Sequence, residues 1–397
     1  MPERNLDFDT VIDRTDTFSL KFDFAERRGR PADALPFWVA DMDFKTSSYI
    51  QDALYKQVEH GIFGYSETKE EYFAAVQGWM KRHHNYDVTE DWLIKTPGVV
   101  FALAMCVKAY TNPGDAVLIQ QPVYYPFSEV IEDNGRKLIS NDLVLGEDGQ
   151  YQIDFEDFEE KIQKYKIKLF LFCSPHNPGG RVWTREELTK IGDICVRNHV
   201  IVAADEIHED FAFRRPHTVF ATVRPEFADI SITCTSPSKT FNLAGLQTSN
   251  NFIPNPELRQ KFQHEVDAAG YSQLSVMGLI ATRAAYNQGE EWLTAVKRYI
   301  QDNIEYTVNT INQIPGLSTV KPDGTYLIWF DCRGLGLNTQ QLDDFILHDA
   351  KLWLDSGAIF GPCGEGFQRI NVACPRATLE QGLSQLEEAV RHGRAES

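Results

Sequence analysis

Through the middle half of the chain, short continuous apolar runs alternate with amphipathic stretches. The runs at 116–120, 168–173, 200–204 and 230–235 do not alternate polar with apolar, and two of them, VIVAA and SITCT, are rich in β-branched residues. This pattern predicts strands buried on both faces of a parallel sheet. Between the runs the spacing turns helical. Thr184 and Glu187 form a capping box ahead of Leu188, Ile191 and Cys195. Asp154 can cap a second helix that carries Phe155, Phe158 and Ile162 on one face. Strand–helix alternation predicts a doubly wound α/β domain with its ligand site at the carboxyl ends of the strands.

From about Trp292 the texture changes. A long helical stretch leads into GTYLIWFDC, a helical segment over 343–352, a Gly-rich loop and the strand-like RINVAC. This predicts a second, smaller α+β unit. The expected organisation is a large domain over 46–288, with 1–45 and 289–397 forming the small one.

Composition narrows the function. The 397 residues are 43% hydrophobic and 24% charged, which is ordinary for a soluble globular chain. The net charge of −18 argues against nucleic acid or an anionic membrane surface as a partner, while leaving room for a locally positive site. The first ten residues are polar, so no secretory leader is expected, and no apolar run approaches the roughly 18 residues of a membrane span. The seven cysteines are scattered and form no CxxC pair. Reduced thiols in a cytoplasmic protein are expected, with no disulfide and no metal site.

Candidate chemistry lies just beyond the predicted strands. Ser236-Pro237-Ser238-Lys239 follows the strand ending at Thr235, which places an amine and two hydroxyls at the sheet's carboxyl edge. That suits a lysine forming a Schiff base beside a phosphate, although the motif alone fits a solvated loop equally well. Asp205 ends the run VIVAA and could pair with a pyridinium nitrogen or simply cap the next turn. His208 lies close by and reads as a supporting hydrogen-bonder. Asn177 sits in the loop SPHNPGG, whose two prolines and two glycines fix how its amide is presented. Thr96-Pro97-Gly98-Val99-Val100 opens a helical run whose free N–H groups suit a phosphate, or mark a plain helix start.

Together these four are far more specific than any one of them. Asn177, Asp205 and Lys239 follow one another at intervals of 28 and 34 residues. Here the chain resembles the fold-type I pyridoxal-phosphate (PLP) enzymes, the aspartate aminotransferase superfamily. It is similar in particular to the MalY/PatB-type carbon–sulfur β-lyases, which are cystathionine β-lyase-like. The stretches PFWVADMDF, FGYSE, TPGVV, QPVYYPF, SPHNPGGRVW, DEIHEDF, SPSKTFNLAGLQTSN, GTYLIWFD and GPCGEGFQRINVACPR carry the resemblance over nearly the whole chain.

The resemblance implies that Lys239 bears the cofactor and abstracts the substrate's Cα proton, with Asp205 at the pyridine nitrogen and Asn177 at the phenolic oxygen. Tyr124 would stack on the ring and is one candidate proton donor, Lys239 the other. Ser236, Ser238 and the N–H groups of Val99 and Val100 would hold the phosphate, with His208 nearby. Tyr65 would reach the phosphate of a neighbouring subunit, which implies a homodimer with shared sites. Arg369 would grip the substrate α-carboxylate, Ala40 and Tyr326 would contact the substrate, and Phe44, Tyr65, Tyr124 and Tyr326 are the expected pocket walls. General aminotransferases commonly carry a tyrosine where His208 stands and an arginine where Gln247 stands. Both departures fit the lyase branch. The implied activity is α,β-elimination from a sulfur-containing amino acid to thiol, pyruvate and ammonia. The alternatives are a class I/II aminotransferase and a PLP-binding regulatory protein.

Overall fold

The computed structural model describes residues 2–395. Seven strands build the main sheet: β1 (Leu93–Thr96), β2 (Ala116–Ile119), β3 (Lys137–Ser140), β4 (Leu169–Cys173), β5 (Ile201–Asp205), β6 (Ser231–Thr235) and β7 (Ser249–Phe252). Their spatial order is β1-β7-β6-β5-β4-β2-β3. All neighbours are parallel except β7, which runs antiparallel to both β1 and β6. The four apolar runs are β2, β4, β5 and β6, within one residue of the expected bounds. Their residues are buried on both faces, as the continuous pattern requires.

Strand β7, SNNF, escaped the sequence reading because its centre is polar. Its two asparagines are buried and each is paired on one side of its amide: Asn250 Oδ1 accepts from the Tyr72 hydroxyl at 2.7 Å, and Asn251 Nδ2 donates to Ile94 O at 2.8 Å, while Asn250 Nδ2 and Asn251 Oδ1 make no hydrogen bond among the described residues. A hydrogen-bonded amide tolerates burial that an unpaired one would not.

The helices α1 (Ser48–His60), α2 (Glu70–His84), α3 (Val99–Tyr110), α4 (Phe155–Tyr165), α5 (Arg185–Arg197) and α6 (Val276–Gln288) flank this sheet. Asp154 caps α4 through the N–H groups of Glu156 and Asp157, and the Thr184–Glu187 capping box opens α5. The long α7 (Glu290–Ile311) buries Trp292, Val296, Ile300, Ile304 and Ile311 along one stripe. Each such side chain contributes roughly 1.5–3 kcal/mol on burial.

Four short antiparallel strands follow: β8 (Ser318–Thr319), β9 (Leu327–Asp331), β10 (Asp355–Ser356) and β11 (Phe367–Asn371), in the order β8-β9-β11-β10. The closing helix is α8 (Arg376–Ala395). The helical segment expected near 343–352 is present, but it begins and ends a few residues earlier. A helix over Thr339–Asp344 widens into a π turn over Phe345–Asp349 and stops. Lys351 takes a left-handed φ of 53°, and Leu352–Trp353 then pairs in parallel with Leu35–Pro36.

Register sets the site. Cys173 lies opposite Asp205 between β4 and β5, and Asp205 lies opposite Cys234 between β5 and β6. Thr96, at the end of β1, pairs with Ser249, the first residue of β7. The chain therefore leaves β1, β4, β5 and β6 at one edge of the sheet, bringing the start of α3, the Asn177 loop, Asp205 and Lys239 together.

Candidate active site

Lys239 stands on a single helical turn, Pro237–Thr240, capped by Ser236. The Ser236 hydroxyl accepts from Ser238 N at 3.0 Å and donates to Thr248 O at 2.6 Å, fixing the turn to β7. Lys239 Nζ donates to Ala40 O at 2.8 Å, and the Tyr326 hydroxyl donates to the same oxygen at 3.1 Å. Burial pushes the ammonium down to about 8; Arg369 adds to the shift, while Asp41 and Asp205 oppose it. An amine tuned this way is neutral, hence nucleophilic and basic, over much of the mildly alkaline range.

Asp205 is pushed up to about 7 by burial, against the Ile207 N–H at 3.1 Å and the Lys239 charge. A carboxylate so placed needs a cationic or proton-bearing partner from the cavity side. His208 is pushed down to about 3, by burial first and then by Lys239 and Arg369, so its imidazole is neutral. Its buried Nδ1 has no partner. Burial holds the Tyr124 phenol well above its ordinary range and therefore protonated.

The Asn177 loop is fixed from several sides. Its peptide bonds Ser174–Pro175 and Asn177–Pro178 are cis. Asn177 O accepts from Tyr124 N at 3.0 Å, and Trp183 Nε1 donates to Cys173 O at 3.0 Å. Asn177 Oδ1 accepts from Arg369 Nη1 at 2.8 Å, which leaves the amide hydrogens for the cavity.

These groups meet at a cavity of 160 Å³ lined by Val99, Val100, Tyr124, Asn177, Asp205 and His208. Ser236, Ser238, Lys239, Ala40 and Gln247 complete its polar wall and rim. Cys173, Ile207 and Thr248 also line it; they fall inside the quoted runs and motifs, but sequence alone assigned none of them a role in the site. A larger groove of 380 Å³ beside Gly146, Tyr151 and Trp329 includes no lysine or histidine.

Not every expected residue lies on the cavity wall. Tyr326 is fully buried behind Ala40, and Arg369 is buried behind Asn177. Phe44 is corrected: its ring is buried edge-on against Phe8 and Tyr299, where the aromatic packing stabilises it in the core and away from the cavity, and the Asn242 amide donates to its backbone carbonyl at 3.0 Å. Tyr65 is fully exposed, at 101%, and takes no part in its own chain's cavity.

Beneath the cavity, Asp210 joins α2 to the lysine turn. It accepts from Thr240 Oγ1 at 2.6 Å and Trp79 Nε1 at 3.3 Å, and pairs with His84 Nε2 at 3.0 Å. Glu206 pairs likewise with His217 at 2.8 Å. Glu209 lies between them, buried; its Oε2 makes no hydrogen bond among the described residues and lies 3.7 Å from His84 Nε2.

The cavity fits pyridoxal 5′-phosphate. Next to the start of α3, a Cβ built on Gly98 meets no atom within 4 Å, so the space before the helix N-terminus is open. Helix N–H groups and two serine hydroxyls suit a phosphate there. The buried Asp205 suits a protonated ring nitrogen, and the Lys239 amine suits an aldehyde.

Known proteins agree with this geometry. Residues 40–386 match the family model for aminotransferases of class I and II. The cystathionine β-lyase PatB of Bacillus subtilis is 43% identical over 387 residues, covering 97% of this chain and 100% of that protein. The MalY protein of Escherichia coli is 35% identical, covering 97% and 99%. Among solved structures, cystalysin of Treponema denticola, which contains a pyridoxal 5′-phosphate cofactor, superimposes with a TM-score of 0.94 at 37% identity, covering 97% and 99%.

Proposed function

Because this chain belongs to the class I and II aminotransferase family, we propose that it is a pyridoxal-phosphate-dependent carbon–sulfur β-lyase acting on cystathionine, cysteine or related S-substituted cysteines. The observation that carries this reading is one cavity holding the tuned amine of Lys239 and the buried carboxylate of Asp205, with the Arg369–Asn177 pair directly behind.

When bound, the cofactor supplies an aldehyde that condenses with amines and a ring that accepts the electron pair left at Cα. Val99, Val100, Ser236 and Ser238 would hold its phosphate, Asp205 its ring nitrogen and Asn177 its phenolic oxygen, with Tyr124 against the ring. Arg369 fixes the substrate carboxylate through its planar fork, which sets the direction of the Cα–H bond. Lys239, once free, takes the Cα proton at Nζ. Tyr124, kept protonated by burial, can give a proton to the departing sulfur. Loss of the thiol leaves an unsaturated amino acid that takes up one water, so the products are thiol, pyruvate and ammonia.

Incubation with cystathionine or S-methylcysteine and no keto acid tests the reading. Thiol and pyruvate in equal amounts support it. Product that forms only when 2-oxoglutarate is added shows an aminotransferase instead. Gln247 at the cavity, where general aminotransferases resemble one another in having an arginine, favours the lyase.

A homodimer belongs to the same reading. Tyr65 follows Ile62 and Phe63, both more than half exposed, and Tyr55 and Val58 on α1 are exposed as well. Such an apolar face, with a tyrosine reaching outward, fits a second copy whose cavity Tyr65 enters. All seven cysteines are unpaired, which suits a cytoplasmic location. Among the described residues, no helix is long and apolar enough to cross a membrane.

A further inference from the structure

We infer that Asp355 is a positioning residue for Arg369, and that its carboxylate sets how tightly this guanidinium holds the carboxylate of a substrate. The inference rests on the reading above that Arg369 binds the α-carboxylate.

Asp355 and Arg369 face each other in register on the neighbouring strands β10 and β11. Both side chains are buried, 7% and 3% exposed, and Arg369 Nη2 donates to Asp355 Oδ2. The same Nη2 donates to Trp38 O at 2.9 Å, so both of its hydrogens are taken. Nη1 donates to Asn177 Oδ1 at 2.8 Å, and the guanidinium lies over the Phe360 ring at 4.9 Å. Nε is buried and has no partner at all.

Arg369 is thus held by Asp355, Trp38, Asn177 and Phe360 in one orientation, with two N–H donors left over, at Nε and at the second Nη1 hydrogen. An unpaired buried donor is costly, and a ligand that satisfies it regains that cost. A substrate carboxylate supplies the missing acceptor. It also brings a second negative charge to a guanidinium already paired with Asp355. The buried anion therefore works in two directions: it fixes the fork, and it weakens the fork's hold on a carboxylate relative to a neutral acceptor in the same place.

These two effects separate kinetically. Removing the charge while keeping an acceptor, in Asp355→Asn, strengthens ground-state binding and loosens the orientation of the fork. KM for an S-substituted cysteine should fall about threefold or more, and kcat should fall with it, the signature of stabilised ground-state binding. The matching α-carboxamide, which brings no charge, should show no fall in KM. Asp355→Glu, which keeps the charge, should stay close to the wild-type KM. Titration of the holoenzyme with L-alanine, which has no β leaving group, gives the same affinity change through the visible spectrum of the cofactor. A KM for the acid that is unchanged or raised in Asp355→Asn overturns the inference, and so do equal shifts for acid and carboxamide. Where Asp355→Asn does not fold, the smaller Asp355→Ser carries the same comparison. Arg369→Lys is the control: it should raise KM for the acid and spare the carboxamide. Loss of that selectivity would refute the role given to Arg369 itself, whatever Asp355 does.

Discussion

Lys239 Nζ meets the carbonyl oxygen of Ala40 across 199 residues of sequence, at 2.8 Å. Tyr326 donates to the same oxygen. The amine is thereby held by a neutral backbone acceptor, an arrangement that leaves it free to become neutral as well. The chemistry of this carbon–sulfur lyase depends on that freedom.

Lys239→Ala should lower turnover by about 10²–10⁴-fold, the usual contribution of a positioned proton-transfer group. Cofactor should still bind, through Asp205 and the phosphate-holding residues, but without its covalent link. Borohydride treatment followed by peptide mass mapping reads this directly: wild-type protein should carry the reduced cofactor on Lys239, and the variant on no residue.

The lowered pKa of Lys239 predicts a pH dependence for cofactor loading. Below about 8 the group is an ammonium ion and cannot add to an aldehyde; above that value it is a free amine. The rate at which cofactor-free protein forms its covalent link should therefore rise with pH and level off beyond about 8. A rate that does not change across this value contradicts the prediction.

Asp205 predicts the opposite trend for stability. Its folded pKa is raised to about 7 by burial, above the ordinary aspartate value of about 4. Between these values the folded state binds more protons than the unfolded state. Stability of the cofactor-free protein should accordingly fall as pH rises from about 4 to about 7, and then flatten. Asp205→Asn should remove this part of the slope in urea melts, and should lose cofactor affinity at the same time.

Glu209 and Asp210 are adjacent in sequence and should respond in opposite ways. Burial, helped by the charges of Asp210 and Glu206, pushes the Glu209 carboxyl well up. Glu209→Gln should be neutral or stabilising. Asp210 is held down at about 2 by the bonds from His84 and Thr240, which outweigh burial. Asp210→Ala would leave buried donors on Trp79, His84 and Thr240 unpaired, and should cost about 3–5 kcal/mol in equilibrium unfolding.

A mixing experiment addresses the shared site. Tyr65→Phe and Lys239→Ala chains, each impaired alone, should regain activity when unfolded and refolded together in equal amounts, because about half of the pairs that form are mixed and every mixed pair contains one intact site. No recovery would place Tyr65 outside the partner's cavity.

The sequence by itself determined the main strands and the chemistry at their ends. Buried parallel strands must be continuously apolar, so β2, β4, β5 and β6 stood out, and the polar residues after each marked the carboxyl edge of the sheet. Helix caps such as Asp154 and Thr184 were legible for the same reason: their partners lie within three residues. Only the tertiary structure decided the contacts that tune this chemistry. Asp355 faces Arg369 through a strand register, Ala40 meets Lys239 from the far end of the chain, and Phe44 turns into the core instead of the pocket. The buried asparagines of β7 likewise carry no strand signal, and their bonds to Tyr72 and Ile94 come from elements distant in sequence. Periodicity records which face of an element is buried. It carries no record of which distant polar atom completes a hydrogen bond, and those distant partners fix the position of the amine and the orientation of the arginine.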